Sequence, residues 1–265
     1  MSRALPILMY HHVSPAPGLV TLSPACFRDQ MSALARAGWK SVGSAELEAF
    51  LAGEPLPEKR VMLSFDDGYL DNYLHAHPVL REFGMQAVLF VVTDWVGEGP
   101  PRVTGEAPDH RECKRRIAAG EADSVMVRWS EIEAMQAAGS FEFHSHTHTH
   151  TRWDQRLPDN AARLAALEAD LVASRSTLKR RLGIDDRHLC WPQGYFQEDY
   201  LPLANRLGFD HLYTTRPGTN GPRQDANRLR RIVTKEKSGA WLTRRLWLYA
   251  TTGRAACYGW LKGER

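Results

Sequence analysis

Cysteine is scarce in this chain. Cys26, Cys113, Cys190 and Cys257 are spread over 265 residues and form no CxxC pair. This argues against a thiolate zinc site and a disulfide-stapled scaffold, and fits a reducing compartment. No apolar run approaches the ~20 residues of a membrane-spanning helix. The opening MSRALPILMY is too short and too interrupted for a secretory leader and has no A-x-A site. The sequence therefore predicts a cytoplasmic protein. Pro/Gly/Ser-rich linkers and internal repeats are also missing, which predicts a single domain. Charge of one sign is not dominant: the net charge is +3, with basic residues dispersed except near the C-terminus. This is no basis for expecting a nucleic-acid partner. No GxSxG elbow suggests a serine nucleophile.

What is present is an alternation of short apolar runs with longer helical patterns. Strands are predicted at 6–13, 60–68, 86–93, in FEFHSH, and at 188–194, 209–218 and 227–234. Helices are predicted at 23–38 (Ser23 as N-cap, Gly38 as stop), 44–53, 69–84 with a kink at Pro78, 129–139 with Ser130 as N-cap and Glu133 three residues on, 158–183, 197–208 and 239–253. Residues 94–127, rich in Gly and Pro at their start, read as an irregular insertion or lid. Strand–helix repetition with right-handed crossovers implies an α/β fold with a parallel sheet, and about seven units favour a distorted (β/α) barrel. Chemistry in such barrels collects where strands end at their C-terminal side. His11 and His12, Asp66 and Asp67, His146, and Trp191 with Pro192 all fall at such ends.

Two adjacent carboxylates after a buried strand, in SFDDGY, are costly unless paired, metal-bound or exposed, although Asp-Gly is also ordinary turn chemistry. The segment EFHSHTHTHT carries His144, His146, His148 and His150 at every second position. One carboxylate and two imidazoles with an open position make a catalytic metal set that activates water, leaving the second Asp free to act as base. On a strand all four histidines would share a face; on a helical turn His144/His148 and His146/His150 would pair. Spacing alone does not choose among them.

SFDDGY resembles the T/S-F-D-D-G motif of the polysaccharide deacetylases, carbohydrate esterase family four, and SHTHTH resembles that family's S-H-T-x-T-H motif. LMYHHV, WPQGYF and LYTTRPGTN are similar to further stretches of its bacterial members, so the resemblance covers most of the chain. It implies a distorted β/α barrel and a metal-dependent hydrolase removing an acetyl group from an N-acetylhexosamine. By resemblance, Asp67, His146 and His150 hold one divalent metal, and Asp66 deprotonates the attacking water. Zinc is the first expectation, with cobalt, nickel or iron accepted by the same donors. His144 and His148 then become supporting residues. Tyr195, through its N–H, and Trp191 and Pro192 are expected around the oxyanion and substrate.

Three departures from the family pattern stand out. The third motif usually carries an arginine that contacts the catalytic Asp, but Leu189 and Cys190 stand near that place, so the contact is lost or supplied elsewhere. The late Leu-His motif that supplies the general acid is missing, and RRIVTKEK does not replace it. A circularly permuted branch carries this histidine early, in Y-H-x-V, which assigns the acid to His11 in MYHHV, with His12 as fallback. The 94–127 insertion matches nothing in the family. The expected partner is a saccharide or glycolipid, such as a lipid-linked precursor of a cell-surface glycan. Rival readings are a deacylase for another acyl group (O-acetyl or formyl) and a non-catalytic carbohydrate-binding relic. The C-terminal segment 239–265 interleaves Trp241, Trp247, Tyr249, Tyr258 and Trp260 with Arg244, Arg245, Arg254 and Lys262. That composition suits peripheral contact with the inner face of a membrane as well as a helix packed on the barrel.

Overall fold

The computed structural model describes residues 3–262; Met1, Ser2 and the last three residues of the C-terminal segment lie outside the described residues. In chain order the strands are β1 (Ile7–Tyr10), β2 (His12–Val13), β3 (Thr21–Leu22), β4 (Lys40–Ser41), β5 (Arg60–Phe65), β6 (Ala87–Val91), β7 (Phe141–Ser145), β8 (His188–Cys190), β9 (His211–Tyr213) and β10 (Ile232–Val233). Seven of them form one parallel sheet in the order β10-β1-β5-β6-β7-β8-β9, with β4 added to the start of β5 and β2–β3 paired separately. After β9 the chain comes back so that Leu229 bridges Tyr213 in parallel, and three residues later Ile232 pairs with Leu8 of β1. The two edges of the sheet are thereby linked, and the predicted barrel of about seven parallel strands is present.

The alternation of side chains along each strand sorts the core into an inner and an outer layer. Ile7, Met62, Val88, Phe90, Cys190 and Tyr213, from five different sheet strands, join one cluster. Only the concave face of a curled sheet brings such distant strands together. Leu47, Phe50 and Leu51 of helix Ser44–Ala52 complete that cluster and plug the end of the barrel where strands begin. The opposite face, with Leu8, Leu63, Phe65, Leu89, Phe141 and Phe143, packs against the surrounding helices.

Several local expectations shift for identifiable reasons. The helix expected at 129–139 is capped by Arg128, not Ser130. Glu131, rather than Glu133, accepts from the Arg128 N–H at 2.8 Å, while the Ser130 hydroxyl donates to the Gly99 carbonyl. The predicted kink near Pro78 is a five-residue π-helical turn, Asn72–Ala76, running into the α-helix His77–Glu82. The segment 94–127 is not irregular throughout. It contains helix His110–Ala118, capped by Asp109, and a 3-10 turn at Ala122–Ser124. Arg102 anchors it through a forked ion pair with the buried Glu131. The strand expected at 188–194 stops at Cys190, because Pro192–Gly194 form a 3-10 turn. The C-terminal segment is two helices, Gly239–Tyr249 and Thr252–Lys262.

Helix Gly239–Tyr249 closes the barrel wall against helix Pro24–Arg36. Gly239 donates its N–H to Asp29 at 2.7 Å, and a Cβ placed there would lie 2.6 Å from the Asp29 carbonyl and closer still to Ala33. Gly239→Ala is therefore predicted to lower stability by about 1–3 kcal/mol through overpacking. Urea unfolding with an unchanged midpoint would show that the helix can move away freely.

Candidate active site

Strand β5 delivers its last residue, Phe65, into the outer core, and the next two residues are the acidic pair. Asp66 stays in register, donating its N–H to the Tyr10 carbonyl at the end of β1. Asp67 then turns sharply, with φ 73°. Of the seven non-glycine residues with positive φ among the described residues, four lie in the loops of this rim: Asp67, Thr147, His150 and Gln193. Each such residue costs on the order of 1–3 kcal/mol and persists only where its surroundings impose it.

The histidine segment follows neither a continuing strand nor a helix. His146 leaves β7 with its N–H on the Val91 carbonyl. Left-handed Thr147 then reverses the chain, and its hydroxyl accepts from the His150 N–H at 3.0 Å. Asp170, buried on helix Asn160–Leu182, accepts from the N–H groups of His148 and Thr149, the Thr149 hydroxyl and the Trp153 indole. The turn thus brings His146 and His150 to one place. Their Nε2 atoms stand 3.3 and 3.4 Å from Oδ1 of Asp67. His146 is oriented by the Cys190 carbonyl, 2.7 Å from its Nδ1.

This set fits a divalent cation on its own chemistry. Oδ1 of Asp67 is buried with no hydrogen-bond partner, which is costly unless something positive completes it. Two imidazoles and a carboxylate converge there, with ligand atoms within 4.8 Å of one another. Glu48, His188 and His211 also cluster, but at the start of the strands, and each has other partners. His188 bonds to Tyr213 and Glu48, His211 to Asp210, and Glu48 to Arg187.

Asp66 is where sequence reasoning missed a residue. Arg231, wholly buried, grips it with Nη1–Oδ1 at 2.6 Å and Nη2–Oδ2 at 2.8 Å. The guanidinium is held in turn by the Thr214 carbonyl and lies over the Phe90 ring. Cys190, standing where an arginine was expected, is 3.1 Å from Nη2; its small side chain leaves room for an arginine arriving from another strand. Burial alone would raise the Asp66 carboxyl, but Arg231, then His11 and His146, outweigh it and hold it below the ordinary value. Burial likewise raises Asp67, and His150 and His146 overcome it, leaving that carboxyl well below the ordinary value.

The two N-terminal histidines part company. His11 faces the site, with Nε2 3.7 Å from Oδ2 of Asp66, and burial lowers its pKa more than the two aspartates raise it. His12 is fully buried, stacks on Tyr69 and bonds to Asp71 at 2.6 Å. Its Nε2 meets Nδ1 of His110 at 3.1 Å, so the insertion reaches the shoulder of the site through a residue sequence reading passed over.

His144 points to the inside of the barrel near its base, 2.6 Å from Asp186, with its ring tilted against His188. His148 sits at the rim, bonded to the Thr93 hydroxyl. Trp191 was expected against substrate, but its ring packs in the outer core with Phe196 and Tyr200. Pro192 is buried at the start of the 3-10 turn. Tyr195 is exposed, with Arg152 stacked 3.8 Å over its ring, and its N–H already donates to the Pro192 carbonyl at 3.1 Å. That N–H would have to leave the turn to serve an oxyanion.

The family model described as polysaccharide deacetylase matches residues 53–212. The chain belongs to this family. Among relatives, YxkH of Bacillus subtilis (strain 168), provisionally named a polysaccharide deacetylase, is 25% identical over 229 residues, covering 86% of this chain and 70% of that protein. The poly-beta-1,6-N-acetyl-D-glucosamine N-deacetylase of Escherichia coli (strain K12) is 25% identical over 211 residues, 75% of this chain but only 31% of that protein's length. The solved structure of IcaB from Ammonifex degensii is 26% identical, with a TM-score of 0.74 and coverage of 92% and 97% of the two chains. Family membership meets the expectation of a carbohydrate deacetylase fold and enzyme class.

Two predictions follow from this geometry. Zinc titration by calorimetry should show His150→Ala and Asp67→Asn losing cation binding while His148→Ala retains it; binding by His150→Ala would reject the assigned set. His144 carries a separate, structural effect. Burial lowers its pKa, but Asp186 and Glu142 outweigh burial and lift it to about 9 from 6.5. Its folded value exceeds its unfolded one, so the stabilisation is complete below pH 6.5 and disappears as pH rises through about 9. The size is on the order of 3 kcal/mol. Urea midpoints of wild type should fall across that window and those of His144→Gln should stay flat.

Proposed function

We propose that this protein removes the acetyl group from an N-acetylhexosamine within a glycan or glycolipid. The observation that carries the reading is the orphaned Oδ1 of Asp67 between His146 and His150, next to an Asp66 kept ionised by Arg231. The amide substrate is supported by the Escherichia coli relative, whose name specifies N-deacetylation of poly-beta-1,6-N-acetyl-D-glucosamine.

A divalent cation held by Asp67, His146 and His150, zinc first, would polarise the acetyl carbonyl and acidify the attacking water. Asp66 takes the proton of that water. Arg231 keeps it ionised for the task and fixes both oxygens, so only the lone pairs facing the site are available. His11, on the other side of Asp66, donates a proton to the leaving amine. Tyr195 and the turn at Pro192 border the space in which the acetyl oxygen gathers charge, and the Arg152–Tyr195 stack offers a flat face at the rim. The complete donor set argues against a non-catalytic relic, since a binding module has no use for an ionised base beside a metal set.

The productive form has Asp66 ionised and His11 protonated. The rate should therefore rise as Asp66 loses its proton and fall as His11 loses its own, with both limbs on the acid side of the ordinary carboxylate and imidazole values. Amine release from acetylated glucosamine oligomers, followed as kcat/KM against pH, should show this bell. Asp66→Asn should lose at least about a hundredfold while still binding the cation, and His11→Ala should lose the alkaline limb. Full activity in Asp66→Asn would end the assignment of the base.

A further inference from the structure

A cavity of about 570 Å³ opens at the end of the barrel opposite the metal set. Arg3 precedes β1, while Lys59 precedes β5 and Arg60 opens it; His11 and Asp66 follow those same strands. Because the strands are parallel, the cavity and the candidate active site lie about 20 Å apart, the length of β5. The far wall is built by helix Gly239–Tyr249 and the helix after it.

The lining has two chemistries. Five cations surround the cavity, Arg3, Lys59, Arg60, Arg244 and Arg254, against one carboxylate, Glu58. Glu58 is paired with Arg3 alone, at 3.4 Å and in solvent. Among the described residues no carboxylate pairs with the other four. Between the cations lies apolar surface from Trp39, Leu56 and Trp247. Trp247 is 57% exposed, and Arg254 is held over its ring at 4.2 Å.

We infer that this basal cavity receives the phosphate headgroup and upper acyl region of an anionic phospholipid, docking the barrel base-first on a membrane surface. Charge complementarity selects an anion. The apolar walls select an amphiphile over a free phosphate, because a hydrated anion gains nothing from Trp39 and Leu56. An indole at the rim flanked by arginines is the arrangement that settles at a headgroup boundary. The inference stands apart from the deacetylase reading, and its test measures binding only.

The test is flotation of the full chain with vesicles of phosphatidylcholine alone and of phosphatidylcholine mixed with phosphatidylglycerol. Wild type should float only with the anionic vesicles, and less as salt rises. Trp247→Ser should weaken flotation, and Lys59→Glu with Arg244→Glu should weaken it by roughly tenfold or more. Circular dichroism should be retained, as all three residues are exposed, and Trp247→Ser should keep its thermal midpoint. Lys59→Glu loses the bond from its ammonium to the Ala37 carbonyl, so Arg244→Glu alone, which should also weaken flotation, controls for stability. Flotation equal in wild type and the charge-reversed variant, or with neither vesicle, would overturn the proposal. So would inorganic phosphate displacing the protein from anionic vesicles while chloride at equal ionic strength does not, since that marks a site for the free anion.

Discussion

The forked pairing of Arg231 with Asp66 is the constraint on which the upper barrel depends. Two charges are removed from water, a penalty of several kcal/mol per ion that only good geometry and further hydrogen bonds offset. Both conditions are met: two short parallel contacts, with the third guanidinium edge on the Thr214 carbonyl. The pair also joins two distant regions of the chain. Arg231 lies in the stretch that links the two sheet edges, between the bridge at Leu229 and the pairing of Ile232 with β1. Asp66 sits at the end of β5, in the middle of the sheet. The residue that lies where the ring closes also fixes the charge of Asp66, and the compact Cys190 leaves the arginine its space.

Much of this arrangement was legible from sequence. Short buried runs ending in Asp-Asp or His place chemistry at strand ends whatever the helices do, so Asp66, Asp67, His11 and His146 came together as expected. Arg231 was not legible, because it is 165 residues from its partner and nothing local distinguishes it from Arg230 beside it. One faces solvent and the other the barrel interior, a difference that depends on where a two-residue strand falls. The cap at Arg128 was misplaced by two residues because Glu131 bonds both Arg102 and the helix start, and only the first is invisible in a local pattern. Trp191 lies in the outer core because Cys190 before it takes the inward position, and alternation sends its neighbour outward.

The histidines show how depth decides a role that spacing leaves open. His144 is still within β7, paired laterally with Phe90, and so points into the barrel near its base. There it meets Asp186 and His188 and becomes part of a buried charge network. His146, two residues on, has passed the end of the strand and reaches the rim. The same residue type in the same alternation thus serves stability at one level and the candidate metal set at the next.

Asp170 gives the rim its shape from a distance. A single buried carboxylate collects four donors from residues 148–153, so the loop carrying His150 copies the position of a helix that touches no part of the chemistry. That helix serves as a ruler: one residue of slippage along it would displace Asp170 by about 1.5 Å and swing it about 100° around the axis. The spacing of His146 and His150 in the candidate metal set is therefore set less by the loop's own residues than by the register of helix Asn160–Leu182 against the barrel, and the loop can vary in sequence wherever it keeps those four donors.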